Sequence, residues 1–97
     1  MTESLPMIEY LEECYPDQGL KLLPIGNDES SSYQRFKIRR LCEQINSGVQ
    51  PLQNRKVVQK VVDIGGDRQE WGSTVVQRGL EIFESLLDSD SSFCVGD

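Results

Sequence analysis

Two adjacent polar residues near the start of the sequence could bind a small zwitterion. Glu3 and Ser4 stand directly before a segment whose apolar residues recur at helical spacing: Met7, Ile8, Leu11 and Tyr15. Ser4 is of a type favoured as a helix N-cap, and Pro6 fits a first helical turn. The free N–H groups of a helix start attract a carboxylate, and Glu3 offers a partner for an ammonium group. The same residues also fit an ordinary capped helix with a solvated glutamate, and both interpretations stay open.

A second polar group lies in the middle of the chain, where three side-chain amides surround Pro51: Gln50, Gln53 and Asn54. Amides both donate and accept hydrogen bonds, so they suit a ligand with both kinds of group. The proline either kinks a helix or opens a new one. An exposed kink with incidental amides is the alternative. The two polar groups together are better evidence than either alone, because one ligand could contact both.

Basic residues are concentrated between positions 35 and 60, with Glu43 as the only acid among them: Arg35, Lys37, Arg39, Arg40, Arg55, Lys56 and Lys60. They could form a positive wall beside a cleft for small anions, or an ordinary solvated helix face. The net charge of −6 argues against nucleic acid as the main partner.

The residue types that are missing exclude several kinds of chemistry. The chain has no histidine, so neither a Ser-His-Asp nor a Cys-His catalytic arrangement can form within it, and we expect no metal site. The three cysteines, Cys14, Cys42 and Cys94, are widely spaced and form no C-x-x-C pair. No apolar run approaches the length of a membrane span, and the acidic N-terminus does not resemble a signal peptide. We expect an intracellular, cytoplasmic protein without membrane contact.

The pattern of apolar residues predicts an all-α fold. The first helix should end near Tyr15-Pro16 and lead into a linker, residues 17–26, whose three leucines (Leu20, Leu22 and Leu23) should pack it down. Asn27 or Asp28 is expected to cap a second helix, whose apolar stripe is Ile38, Leu41, Ile45 and Val49.

Helical spacing continues after Pro51 at Val57, Val58, Val61 and Val62, until Gly65-Gly66 ends the segment. Asp67 with Glu70 forms a capping-box pattern that opens a long last helix through Trp71 and Phe83. Gly72 and Gly79 in that helix could permit the close approach of a neighbour.

The sequence resembles the zeta class of glutathione transferases, the maleylacetoacetate isomerases. The resemblance runs from one end of the chain to the other. Its residues are Glu3-Ser4-Leu5, the segment from Ile8 to Glu13, Leu22-Leu23-Pro24, Gln50-Pro51-Leu52-Gln53-Asn54, Trp71, Gly79-Leu80, Glu84 and the segment from Cys94 to Asp97. The Gln-Pro-Leu-Gln-Asn string is the most particular to the class.

The resemblance implies two domains. Residues 1–16 would be the C-terminal helix of a thioredoxin-like glutathione-binding domain, residues 17–26 the interdomain linker, and residues 27–97 part of an all-helical C-terminal domain. The implied cofactor is glutathione. Ser4 would bind its γ-glutamyl carboxylate, Glu3 its ammonium group, and Gln50 and Asn54 would line the site. Arg55-Lys56 stands where the family often has Leu-Ser.

The resemblance also implies the activity of the whole protein. This is glutathione-dependent isomerisation of maleylacetoacetate, a small dicarboxylate-type substrate, in tyrosine and phenylalanine catabolism. The family is homodimeric. Its Ser-Ser-Cys catalytic motif is absent from these residues, so we expect no catalytic residue and no isomerase activity from the chain alone. The alternative is a non-catalytic helical protein-interaction module.

Overall fold

Four helices make up the regular structure of the chain. The computed structural model describes residues 3–96, so Met1, Thr2 and Asp97 lie outside the described residues. The helices are α1 (Ser4–Cys14), α2 (Glu29–Asn46), α3 (Arg55–Asp63) and α4 (Arg68–Ser85). No strand occurs in residues 3–96, and the predicted all-α fold is confirmed. The chain divides into two compact units, Met1–Arg35 and Phe36–Asp97, with the boundary inside α2.

Side-chain caps define the starts of α2 and α4, as predicted. The Oδ1 atom of Asp28 accepts a hydrogen bond from the Ser31 N–H at 2.9 Å, and the Ser31 hydroxyl donates to the Oδ2 atom of Asp28 at 2.6 Å. These bonds, the hydroxyl bond foremost, hold the pKa of Asp28 below its usual range. At α4, Asp67 Oδ1 accepts from the Glu70 N–H at 2.7 Å. Both helices therefore begin directly after an aspartate that caps their free N–H groups.

The end of α3 is set by two glycines. Gly65 has a φ of 90°, a left-handed conformation that favours glycine. Its N–H donates to the Val62 carbonyl at 3.0 Å, and the Gly66 N–H donates to the Val61 carbonyl at 2.8 Å. This pair of bonds is the Schellman motif, which satisfies the last carbonyls of a helix. The predicted stop at Gly65-Gly66 is confirmed.

The linker of the first unit is held by charged side chains rather than by its leucines. Glu12 Oε1 accepts from the N–H groups of Leu22, at 2.9 Å, and Leu23, at 3.3 Å. The Arg35 guanidinium donates to the carbonyls of Pro24, at 2.9 Å, and Gly26, at 2.7 Å. The prediction of leucine packing is wrong for Leu20 and Leu22, which are 92% and 62% exposed. The linker satisfies its backbone polar groups through these contacts, which an apolar side chain cannot do.

The second unit has a small core. Its buried apolar residues are Leu41, Val49 and Val58, and α3 packs against α4. Val49 lies against Gly79 of α4 so closely that a Cβ atom at position 79 would overlap its Cγ2 atom. Of the two glycines predicted to allow close approach, Gly79 therefore does so, whereas an added Cβ at Gly72 would meet open space.

One ion pair ties the C-terminal segment to α2. Lys37 Nζ donates to Asp88 Oδ2 at 2.5 Å, and the Gly96 N–H donates to the same oxygen at 3.0 Å. The Lys37 contact, followed by the Gly96 bond, holds the pKa of Asp88 below its usual range. The segment after α4 thus returns to α2 through a charged contact.

Candidate functional site

The start of α1 has an unusual backbone conformation. Glu3 has φ 69° and ψ 100° and is the only non-glycine residue in the described range with a positive φ. Such a conformation costs free energy for a residue with a Cβ atom, and it is concentrated at functional sites. The helix begins at Ser4, with Glu3 in the N-cap position and no side-chain cap bond. The prediction that Ser4 is the N-cap is therefore wrong, because Ser4 is already the first helical residue.

The first N–H groups of α1 have no intrahelical partner, as at any helix start. The first helical backbone bond runs from the Met7 N–H to the Glu3 carbonyl at 3.3 Å, and Pro6 has no N–H. Within residues 3–96, the N–H groups of Ser4 and Leu5 and the Ser4 hydroxyl make no hydrogen bond, and Glu3 and Ser4 are exposed. Three donors at a helix start, beside a free carboxylate, fit the carboxylate and ammonium groups of an amino-acid end.

The second polar group occupies the turn between α2 and α3. Backbone bonds within residues 45–54 close this turn: Gln50 N–H donates to the Ile45 carbonyl at 2.9 Å, and Leu52 and Gln53 N–H donate to the Val49 carbonyl at 3.2 and 3.3 Å. The turn is pinned from inside by Val49, which is 5% exposed. The side chains of Gln50 and Gln53 are exposed. Pro51 thus lies in a closed turn between two helices rather than at a kink or at a first helical position.

Asn54 has a structural role that sequence reasoning missed. Its Oδ1 atom accepts from the Lys56 N–H at 3.0 Å and caps α3. The amide oxygen of Asn54 is therefore committed to the helix start, and its NH₂ group is the part that remains for a ligand. The signal was present in the sequence, since Asn is a favoured N-cap and stands directly before a helical valine pattern.

Two residues of α4 and α2 hold the turn in place. The Trp71 indole N–H donates to the Leu52 carbonyl at 2.8 Å. Gln44 Nε2 donates to the Gly79 carbonyl at 3.3 Å, which fixes the end of α2 on α4. Both contacts join residues far apart in the sequence, so no local pattern could have indicated them.

The predicted positive wall is only partly available. Arg35 is committed to the linker carbonyls and Lys37 to Asp88. Arg55 and Lys56 are exposed at the start of α3, directly after Asn54. The structure thus separates this run of basic residues into structural and exposed members.

The described residues contain neither a cluster of potential metal ligands nor a helix long and apolar enough to cross a membrane. Cys14 and Cys94 are exposed, Cys42 is half-buried, and all three are free thiols.

The four predicted site residues fall in two places. Glu3 and Ser4 are adjacent in the first unit, whereas Gln50 and Asn54 stand at either end of one turn in the second unit.

Sequence comparison finds maleylacetoacetate isomerases among the relatives of this chain. The chain is 40% identical over 98% of its length to the maleylacetoacetate isomerase of Dictyostelium discoideum, and 36% identical over its whole length to that of Emericella nidulans. It spans only 42% and 41% of these relatives. No family model matches the chain.

Solved structures that resemble this chain include the same enzyme. Crystal structures of the maleylacetoacetate isomerase of Anaeromyxobacter dehalogenans 2CP-1 superpose over the whole chain with a TM-score of 0.76 at 30% identity. The chain covers 43% and 42% of those two structures, of which one holds GSH and the other dicarboxyethyl glutathione and citrate in the active site.

The helical fold and the matching structures make this a glutathione transferase-type chain. The sequence relatives are more specific: they support a fragment of the maleylacetoacetate isomerase family, because the chain matches 42% and 41% of the two isomerases named above.

Proposed function

We propose that this chain supplies glutathione-holding segments of a glutathione-dependent maleylacetoacetate isomerase. The whole protein would convert maleylacetoacetate, a small dicarboxylate, to fumarylacetoacetate in tyrosine and phenylalanine catabolism. Similarity to maleylacetoacetate isomerases and the ligands of the Anaeromyxobacter relative support this assignment. The observation that carries it is the start of α1, where Glu3 has a positive φ and the N–H groups of Ser4 and Leu5 make no hydrogen bond within residues 3–96.

The start of α1 would hold the γ-glutamyl end of glutathione. The Ser4 hydroxyl and the N–H groups of Ser4 and Leu5 donate to the γ-glutamyl carboxylate, with the positive end of the helix dipole behind them. The Glu3 carboxylate accepts from the ammonium group. Hydrogen bonds in which one partner is ionised are stronger than neutral ones, so this end of the ligand is the better anchored.

The turn between α2 and α3 would contribute neutral contacts. Gln50 can donate through its NH₂ group and accept through its carbonyl, while Asn54 donates through NH₂ because its oxygen caps α3. Neither amide can take or give a proton at neutral pH. When bound, glutathione supplies the thiol nucleophile, and the four residues of this chain bind and orient the peptide without acting on the sulfur.

The domain organisation is part of the same proposal. Residues 1–16 would close a thioredoxin-like glutathione-binding domain, residues 17–26 would be the interdomain linker, and residues 27–97 would belong to the helical domain. The whole protein would be a cytoplasmic homodimer without nucleic-acid or membrane partners. The family relationship supports these points.

The test is an NMR titration of the ¹⁵N-labelled chain with millimolar reduced glutathione. We expect shifts at the Ser4 and Leu5 amides and at the Gln50 side-chain NH₂. Cysteinylglycine is the matched control ligand, because it lacks the γ-glutamyl group and should leave Ser4 and Leu5 unchanged. A chain that does not respond to glutathione, or that responds equally to both ligands at α1, would contradict the proposal.

A second candidate function is a non-catalytic helical interaction module. It is favoured by large apolar side chains that are exposed in the second unit, among them Phe36, Ile64, Leu80 and Phe93. The same titration separates the two functions, since an interaction module would not respond to glutathione.

A further inference from the structure

The turn that carries Gln50 accepts a backbone hydrogen bond from one side chain of α4. Its backbone N–H groups bond within residues 45–54, and Val49 is buried beneath it. The Trp71 indole N–H, at 2.8 Å from the Leu52 carbonyl, adds a contact from α4 to the backbone of this turn. Leu52 lies midway between Gln50 and Asn54, so this bond acts between the two residues that would contact glutathione.

We propose that Trp71 is a positioning residue for glutathione, and that its indole N–H fixes the turn so that Gln50 presents its amide to the ligand. This inference rests on the proposed function. In this proposal Trp71 makes no direct contact with glutathione. Its effect on binding passes through the Leu52 carbonyl.

Exposure distinguishes this role from a purely structural one. Leu52 is 43% exposed, and Trp71 is only half-buried. Water can therefore replace the indole as the donor to the Leu52 carbonyl, and loss of the bond should leave the fold intact. The buried Val49 continues to anchor the start of the turn, whereas residues 50–53 lose their tether to α4. Binding should consequently suffer more than stability.

The experiment replaces Trp71 in the 97-residue chain in two ways. The first is Trp71→Phe. The second is incorporation of benzothienylalanine, which keeps the shape of the indole but has sulfur in place of the N–H group. Phe83→Leu is the matched control, because it trims a half-buried aromatic residue of the same helix about 18 Å away along the axis. Glutathione is titrated into each protein, and amide hydrogen exchange is measured in its absence.

Both Trp71 replacements should weaken glutathione binding by between about twofold and tenfold, the range expected for one neutral hydrogen bond. They should also speed exchange at residues 50–53 and reduce the Gln50 shift at saturation while keeping the Ser4 shift. Phe83→Leu should change none of these. Unaltered glutathione binding by the benzothienylalanine protein would overturn the role of Trp71 and leave the proposed function standing. Absence of binding by the unmodified chain would overturn the proposed function and, with it, this inference.

Discussion

Replacing Ser4 by alanine is expected to weaken glutathione binding by about ten- to hundredfold, the effect of removing one hydrogen bond to a charged group. The substitution removes the hydroxyl but keeps the N–H groups of Ser4 and Leu5, so the helix start itself is preserved. Because the hydroxyl makes no hydrogen bond within the described residues, stability should change little. Isothermal titration or NMR shift analysis with glutathione measures the change.

Ser73→Ala is the matched control for this substitution. Ser73 is exposed on α4, so the change removes a hydroxyl from a helix without touching α1. Its glutathione affinity should equal that of the unmodified chain. Equal affinities for all three proteins would show that the Ser4 hydroxyl does not contact the ligand.

Replacing Gly79 by alanine is expected to destabilise the second unit by about 1–3 kcal/mol, the usual cost of overpacking a core. The new Cβ atom would overlap Cγ2 of Val49, a β-branched side chain that is buried and has little rotamer freedom. Either α4 or the turn after α2 must move. The midpoint of urea unfolding should fall accordingly.

Gly72→Ala provides the control within the same helix. An added Cβ at Gly72 meets nothing within 4 Å, so alanine should stabilise the helix by about 0.5–1 kcal/mol. The two substitutions are chemically identical and should have opposite signs. A Gly79→Ala protein that is as stable as Gly72→Ala would show that Val49 does not pack against α4 in this way.

Sequence reasoning succeeded where structure is decided locally. Asp28 and Asp67 cap the helices that follow them, and Gly65 with Gly66 ends α3. Each of these features depends on a residue type and on partners three to five positions away, so the sequence contains all the necessary information.

Sequence reasoning failed where a helix start differs by one residue or where contacts between distant residues decide the structure. Ser4 was expected to be the N-cap, yet the helix already begins at Ser4, and Glu3, with a positive φ, occupies the N-cap position. The linker leucines suggested apolar packing, whereas Glu12 and Arg35 hold the linker through its backbone. Such contacts depend on tertiary geometry.

The candidate site shows the same division. Gln50 and Asn54 were proposed as ligand contacts from their residue types, which stays a prediction, and the capping role of Asn54 was missed although it is local. Trp71 was recognised as an apolar residue of a helix face and as one of the residues that carry the resemblance, but its bond to Leu52 spans 19 positions and was not foreseen. The residue types proposed to contact glutathione can be recognised in the sequence, whereas the contact proposed to position them depends on tertiary geometry.

Intermolecular NOEs between glutathione and the isotopically labelled chain would show directly whether the start of α1 holds the γ-glutamyl end. We expect NOEs from the γ-glutamyl Cα proton to the amide protons of Ser4 and Leu5, with none from the glycine methylene protons to the same amides. NOEs from the glycine end at α1, or a bound glutathione with no contact to Ser4 and Leu5, would contradict it.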